Sequence, residues 1–128
     1  MDIDNTAYTM YTSGDFEIEY YEDARGRSQP REYFESMKPK HAAKARRLFQ
    51  LASRMGPGLT RPYAGVLEGR IREFRPNMEG HQHRFLFVVH DRTILITNAF
   101  LKKADAVPLS EIERAERCYA DWLSRGEG

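Results

Sequence analysis

Four cationic residues lie at the ends of predicted strands, where they could bind a phosphate group. Arg75 ends one strand and Arg84 lies near the start of the next, while Lys102 and Lys103 follow the last of the three. Short turns force antiparallel pairing, which returns all four side chains to one edge of the sheet. An arginine can bind two phosphate oxygens and a lysine adds a point charge, so this cationic edge predicts a phosphate site. The alternative is that these are solvated strand ends.

Two histidines near the same end of the sheet are candidates for acid–base chemistry. His81 and His83 are two residues apart, so both imidazoles lie on one side of an extended strand. A metal site would need a third ligand, and the nearest candidates, His90 and Asp91, are not compelling. We therefore predict no metal and favour a surface or acid–base role for the pair. A lysine of the cationic edge is the alternative base, because neighbouring cations favour its neutral form.

Other catalytic signatures are absent from the sequence. It contains no Gly-x-Ser-x-Gly motif, no Walker loop and no dinucleotide-binding fingerprint. Cys118 is the single cysteine, which excludes an internal disulfide and any multi-cysteine metal site. Its place beside an apolar helix stripe indicates packing, not nucleophilic attack. We expect no cofactor.

The elements that position these residues predict an α+β domain. Apolar periodicity and turn signals indicate a β-α-α-β-β-β-α order: strand 15–21, helices 28–38 and 40–55, strands 67–75, 81–90 and 92–101, and a helix that begins near Pro108. This order predicts a mainly antiparallel four-stranded sheet packed by an N-terminal helical hairpin, plus a C-terminal helix. Residues 1–14 are predicted to be a mobile acidic arm, and residues 15–128 a single domain.

Charge is strongly segregated along the chain, although its net value is only +1. Residues 1–24 carry −7, whereas residues 25–103 together carry +11. A basic block of this size suits a polyanion, most often nucleic acid, but it is also expected of solvated helix faces. The longest apolar run, 85–89, is too short to span a membrane, and no secretory signal is present, so a cytoplasmic protein is predicted.

Four segments, in order, carry a family pattern. They are a leucine and glycine before a Glu-hydrophobic-Arg strand (67–75), an Arg followed by alternating apolar residues (83–87), an aliphatic strand closed by Phe100-Leu101-Lys102-Lys103, and a Pro-x-x-Glu-Ile-x-x-Ala-x-x-Arg helix (108–117). Together they resemble the RelE/ParE toxin superfamily, in particular its HigB-like, phage-related branch. The resemblance covers about residues 15–123.

The resemblance implies the toxin of a type II toxin–antitoxin pair. HigB-like relatives are ribosome-dependent mRNA endoribonucleases that act in the ribosomal A site, where the RNA 2′-hydroxyl attacks the adjacent phosphate without a metal. The implied partners are a helix-turn-helix, HigA-like antitoxin, the ribosome and mRNA, with no membrane. A ParE-like gyrase inhibitor and a non-catalytic antitoxin-binding module are the alternatives. The Lys102-Lys103 pair favours cleavage, because cleavage needs converging cations and gyrase binding does not.

The resemblance also implies roles for individual residues. Arg75 and Arg84 would hold the scissile phosphate, and Lys102 and Lys103 would stabilise charge or act as base and acid. Phe100 would support a stacked base or form part of the wall of the site. A further basic set would contact ribosomal RNA, namely Lys40, Lys44, Arg47 and Arg61.

Overall fold

The structure, a computed structural model, describes residues 9–11 and 14–126. These residues form a mixed β-sheet and three helices. Its strands are β1 (Thr9–Tyr11), β2 (Glu17–Tyr20), β3 (Ala64–Glu68), β4 (Ile71–Phe74), β5 (Asn77–Met78), β6 (His81–His90) and β7 (Thr93–Leu101). Six strands run in the order β1-β2-β7-β6-β4-β3, and β5 pairs with β6 beside them. Only β2 and β7 pair in parallel among these strands.

Three helices cover the sheet: α1 (Gln29–Ser36), α2 (Pro39–Met55) and α3 (Leu109–Ser124). The hydroxyl of Ser28 caps α1 by accepting from the Arg31 N–H at 3.3 Å, and a proline lies in the first turn. Gly56 ends α2 at φ 52°, where a Cβ would clash with the ring of Phe16. Residues next to the helix ends therefore determine where the helical hairpin begins and ends.

The two faces of the sheet form separate cores. The α1–α2 hairpin packs on one face around Phe49, Phe74 and Phe85, while α3 packs on the other around Leu86 and Trp122. The strands β6 and β7 are buried on both faces and lie at the centre of the sheet. Their position explains the near-continuous apolar runs in their sequences.

The predicted α+β class, with its N-terminal hairpin and C-terminal helix, is confirmed. The single strand predicted over 67–75 is wrong, because these residues are shared by the hairpin β3–β4. Gly69 at φ 55° forms the turn between the two strands, and the pairing register shifts between Val66 and Glu68. The glycine of the family pattern therefore marks a turn, and the leucine lies just before it in β3.

The N-terminal segment differs in part from the predicted arm. Thr9–Tyr11 pairs antiparallel with β2 and adds a strand to the sheet, while residues 1–8 and 12–13 of the predicted arm lie outside the described residues. The six-stranded sheet therefore exceeds the four strands predicted. None of the described helices is both long and apolar enough to cross a membrane.

Candidate functional site

Arg84 of the cationic edge is completely buried. Its Nε lies 3.2 Å from Oε1 of the buried Glu73, and its other nitrogens donate to Asn77 Oδ1 (2.6 Å), Gln82 Oε1 (3.2 Å) and the His83 carbonyl (2.8 Å). Burial lowers the pKa of Arg84, and the Glu73 carboxylate opposes that shift. A phosphate could reach this guanidinium only by displacing these partners.

A buried carboxylate joins the two arginines of the cationic edge. Arg75 Nη1 lies 2.7 Å from Glu73 Oε2, so Glu73 bridges Arg75 and Arg84. The charges of Arg75 and Arg61 also lower the pKa of Arg84, so Arg61 lies near this pair. Glu73 was missed in the sequence. Its position two residues before Arg75, on the same face of an extended strand, was the available signal.

The remaining predicted residues of this edge lie close by. The register places Phe100 opposite Arg84, where its ring packs on the α3 side of the sheet. The Lys102 N–H donates to the Gln82 carbonyl at 2.9 Å, which continues the β6–β7 pairing past Leu101. Lys102 is half-buried and Lys103 is exposed. Within residues 14–126, neither ammonium group has a hydrogen-bond or ion-pair partner.

A chain of hydrogen-bonded side chains lies on the opposite, hairpin-covered face. Tyr33 Oη is 2.7 Å from His83 Nδ1, His83 Nε2 is 2.8 Å from His41 Nδ1, and His41 Nε2 is 2.9 Å from Glu79 Oε1. His41 and His83 are buried, Tyr33 is half-buried, and the carboxylate of Glu79 is half-exposed. These four residues, which we call the relay, connect the interior to solvent.

The tautomers of the relay follow from its end group. The Glu79 carboxylate can only accept, so His41 Nε2 carries a hydrogen. In neutral His41, Nδ1 then accepts from His83 Nε2–H, and His83 Nδ1 accepts from the Tyr33 hydroxyl. Every hydrogen bond therefore points from Tyr33 towards Glu79. A proton taken up at the tyrosine end can pass along three short hydrogen bonds to the carboxylate end.

The ionisation of the relay is set by burial and by neighbouring charges. Burial lowers the pKa of His83 to about 4, and the charges of His41, His81 and Arg84 act in the same direction. Burial raises the pKa of Tyr33, so its hydroxyl stays protonated. The hydrogen bond from His41 lowers the pKa of Glu79, with help from the charges of His41, Lys38 and His81. At neutral pH His83 is therefore neutral and the Glu79 end of the relay is anionic.

His81 lies beside the relay in an open cleft. The cleft has a volume of about 260 Å³ and is lined by Tyr33, Ser36, Met37, Lys38, His41, His81, His83 and Leu101. His81 Nδ1 is 3.2 Å from the Glu79 carbonyl, which can only accept, so Nδ1 carries the hydrogen and Nε2 has a free lone pair when the ring is neutral. The His81 and His83 rings are nearly parallel at 5.9 Å. The predicted histidine pair thus becomes a cluster of three histidines with His41.

Each relay residue is positioned by a different element. Tyr33 lies in α1, His41 in the first turn of α2, Glu79 in the turn between β5 and β6, and His83 on β6. Glu79 adopts φ 51°, a left-handed conformation that is uncommon outside glycine. Sequence reasoning missed Tyr33, His41 and Glu79. One signal was available for His41, because it extends the apolar stripe of Ala45 and Leu48 on α2.

The predicted basic face of α2 borders a second cleft. This cleft, of about 340 Å³, is lined by Lys40, Ala43, Lys44, Arg47 and Met78. Lys44 Nζ donates to the Asn77 carbonyl at 2.6 Å, and Lys40 Nζ lies 3.7 Å from Glu79 Oε2. The basic face therefore adjoins the carboxylate end of the relay. In the part of the chain that is described, no group of three or more His, Cys, Asp or Glu residues is arranged to hold a metal ion.

One comparison with known proteins identifies a family for the chain. The family model described as phage derived protein Gp49-like (DUF891) matches residues 32–120, which is more than half of the chain. The matched segment contains Tyr33, His41, Glu79 and His83 together with the whole cationic edge. No curated protein matches the sequence.

Proposed function

Because the chain belongs to the Gp49-like family of phage-derived proteins, a RelE-like family associated with the toxins of toxin–antitoxin systems, we propose that it is a toxin that cleaves mRNA on the ribosome. The observation that carries the proposal is the cleft that holds His81, His83, His41 and Tyr33 beside the basic face of α2. We propose metal-independent cleavage by 2′-hydroxyl attack, which stops translation in the cytoplasm.

The cleft has the groups that this reaction needs. Attack by the 2′-hydroxyl requires a group that takes its proton, a group that protonates the leaving oxygen, and cations that stabilise the added negative charge. The three histidines and Tyr33 can transfer protons, and Lys38 supplies positive charge at the cleft wall. Lys40, Lys44 and Arg47 extend the positive surface along α2, where they would contact the backbone of the message or of ribosomal RNA.

A partner that neutralises the toxin is part of the proposal. The +11 charge of residues 25–103 suits an acidic or amphipathic segment of an antitoxin, which we expect to be of the helix-turn-helix, HigA-like type. Coverage of the cleft by this segment would block access of RNA. Co-purification of the chain with the product of the adjacent gene, and rescue of growth by that product, would support this partner.

One observation favours gyrase inhibition as the second candidate. Glu73 pairs with both Arg75 and Arg84 and offsets one of their two positive charges, so these arginines have less free charge for RNA than the sequence predicts. A ParE-like protein needs no converging cations for chemistry. The relay is the reason to prefer cleavage, because proton transfer is needed for cleavage and not for binding gyrase.

The deciding experiment is mRNA cleavage on ribosomes with a codon in the A site. The purified chain should cut the message, and the upstream product should end in a 2′,3′-cyclic or 3′-phosphate. Chelation of metal ions should leave the cleavage step unchanged while the ribosomes stay intact. Uncut message together with inhibited DNA supercoiling by gyrase would replace the proposal with the second candidate. If the message is uncut and gyrase stays active, the remaining hypothesis is a non-catalytic antitoxin-binding module.

A further inference from the structure

We infer that Tyr33 takes the proton from the RNA 2′-hydroxyl and that His83, His41 and Glu79 carry that proton away from the cleft. The inference rests on the proposed function and deepens it, because it assigns the acid–base residues. Tyr33 is the relay member whose hydroxyl ends the chain of hydrogen bonds at the cleft wall. His83 has both ring nitrogens occupied, so it cannot contact substrate directly.

The hydrogen-bond directions allow Tyr33 to act as a base although its own pKa is raised by burial. As the 2′-oxygen bonds to phosphorus, its proton moves to Tyr33 Oη while the tyrosine proton moves to His83 Nδ1. The Nε2 proton of His83 passes to His41 Nδ1. His41 becomes an imidazolium, and both tyrosine and His83 remain neutral at the end of the step. No free tyrosinate forms, so the raised pKa of Tyr33 is no obstacle.

The end of the relay is built to hold and release the proton. The groups facing His41 are Glu79 at 2.9 Å, His83 at 2.8 Å, the His81 ring at a centroid distance of 5.0 Å, and Lys38 on the cleft wall. Glu79 is the anion in this set, and it stabilises the imidazolium. Because the Glu79 carboxylate is half-exposed, the proton can return to water between turnovers.

The complementary role falls to His81. Its Nε2 is held available by the hydrogen bond from Nδ1 to the Glu79 carbonyl, and its ring lines the same cleft as Tyr33. In its imidazolium form, His81 donates the Nε2 proton to the 5′-oxygen as the P–O5′ bond breaks. One proton is then taken by the relay and one is given by His81, so the reaction is balanced. Tyr33 and His81 are therefore catalytic residues, whereas His83, His41 and Glu79 act through Tyr33.

The first test removes the hydroxyl of Tyr33 and nothing else. Tyr33→Phe should slow single-turnover cleavage on programmed ribosomes by about 10²–10³-fold, within the range for loss of a general base. Tyr63→Phe is the matched control, because Tyr63 is an exposed tyrosine next to β3 that does not line the cleft. This variant should cleave at the wild-type rate. A wild-type rate for Tyr33→Phe would overturn the inference.

The second test separates the base from the acid. An mRNA with sulfur in place of the bridging 5′-oxygen has a leaving group that needs no proton. His81→Ala should therefore be slow on normal mRNA and close to wild type on the sulfur-bridged message. Tyr33→Phe should be slow on both. Rescue of both variants, or of neither, would contradict the assignment.

The third test concerns the relay beyond Tyr33. Glu79→Gln should lower the maximal rate, since the imidazolium of His41 loses its anion, and should move the acidic limb of the pH–rate profile to lower pH. Glu35→Gln, an exposed change on α1, is the control and should alter neither property. An unshifted profile would show that Glu79 is only structural. Failure of wild-type cleavage would instead defeat the proposed function itself, so the two outcomes are distinct.

Discussion

The side-chain amide of Gln29 binds both backbone polar groups of Ala99 in β7. Its Nε2 donates to the Ala99 carbonyl at 2.7 Å, and its Oε1 accepts from the Ala99 N–H at 2.8 Å. The β2–β7 ladder reaches only to Ile96, so Gln29 continues the pairing where the neighbouring strand has ended. Because Gln29 precedes Tyr33 by one turn of α1, this contact holds Tyr33 over His83.

Gln29→Ala should therefore loosen the proposed site as well as the fold. Two buried backbone groups of Ala99 lose their partners, which costs about 1–3 kcal/mol of unfolding free energy. We expect a lower midpoint of urea unfolding and a reduced cleavage rate. The exposed Glu35→Ala change in the same helix is the control and should affect neither. If Gln29→Ala is destabilised but still cleaves at the wild-type rate, the contact between Gln29 and Ala99 is not what positions Tyr33.

Arg84 offers a prediction in which stability and activity can be separated. Arg84→Ala leaves the buried Glu73 carboxylate with only Arg75, and removal of one partner from a buried ion pair costs about 3–5 kcal/mol. Glu73→Leu/Arg84→Met removes both charges and should recover much of that loss, as measured by thermal unfolding.

The same double variant tests the phosphate role that the family resemblance implies for Arg84. If the guanidinium only supports the fold, a stable Glu73→Leu/Arg84→Met variant should cleave mRNA at close to the wild-type rate. A folded but inactive double variant would support a role of Arg84 in binding the phosphate.

Lys102 and Lys103 are the members of the cationic edge whose charge is free among the described residues. Lys102→Ala/Lys103→Ala should leave the unfolding midpoint unchanged. If these lysines stabilise the negative charge that develops on the phosphate, cleavage should fall by about 10²–10³-fold. Arg114→Ala/Arg117→Ala, which removes two exposed cations from α3, is the matched control. Wild-type cleavage by the lysine variant would exclude both residues from the site.

The buried His83 predicts a specific loss of stability in acid. Its pKa is lowered by burial from an ordinary value near 6.5 to about 4, so the unfolded chain binds a proton that the folded chain does not. The stability that comes from neutral His83 is complete above pH ~6.5 and is lost as the pH falls towards 4, by up to about 3 kcal/mol.

The measurement is the urea-unfolding free energy at several pH values between 7 and 4. His83→Gln should show a shallower fall than the wild type over that range, because the titrating group is gone. His90→Gln, at the other end of β6, is the control for loss of a histidine and should retain the wild-type slope. Equal slopes for wild type and His83→Gln would show that His83 is not held neutral by the fold.

Local signals explain why much of the fold is predictable. Three features can be recognised from residues that are close together in the sequence. They are the apolar stripe of α2, the glycine at which α2 ends (Gly56), and the apolar residues on both faces of β6. The hairpin at Gly69 was missed because a glycine within a strand pattern indicates either a bulge or a turn, and only pairing with β4 decides between them. The relay was missed for a related reason. Its hydrogen bonds join residues 38, 42 and 50 positions apart, and they exist only after the hairpin docks.

The position of His83 next to Arg84 has a consequence for how this chain can change over evolutionary time. Consecutive strand residues face opposite sides of a sheet, so one position serves the relay and the next serves the buried ion pair. Loss or gain of a single codon between Gly80 and His83 would exchange these faces, with a guanidinium under the hairpin and an imidazole against Glu73. Descendant sequences should therefore diverge here by replacement of residues, while the spacing from the Glu79 turn to Phe85 stays constant.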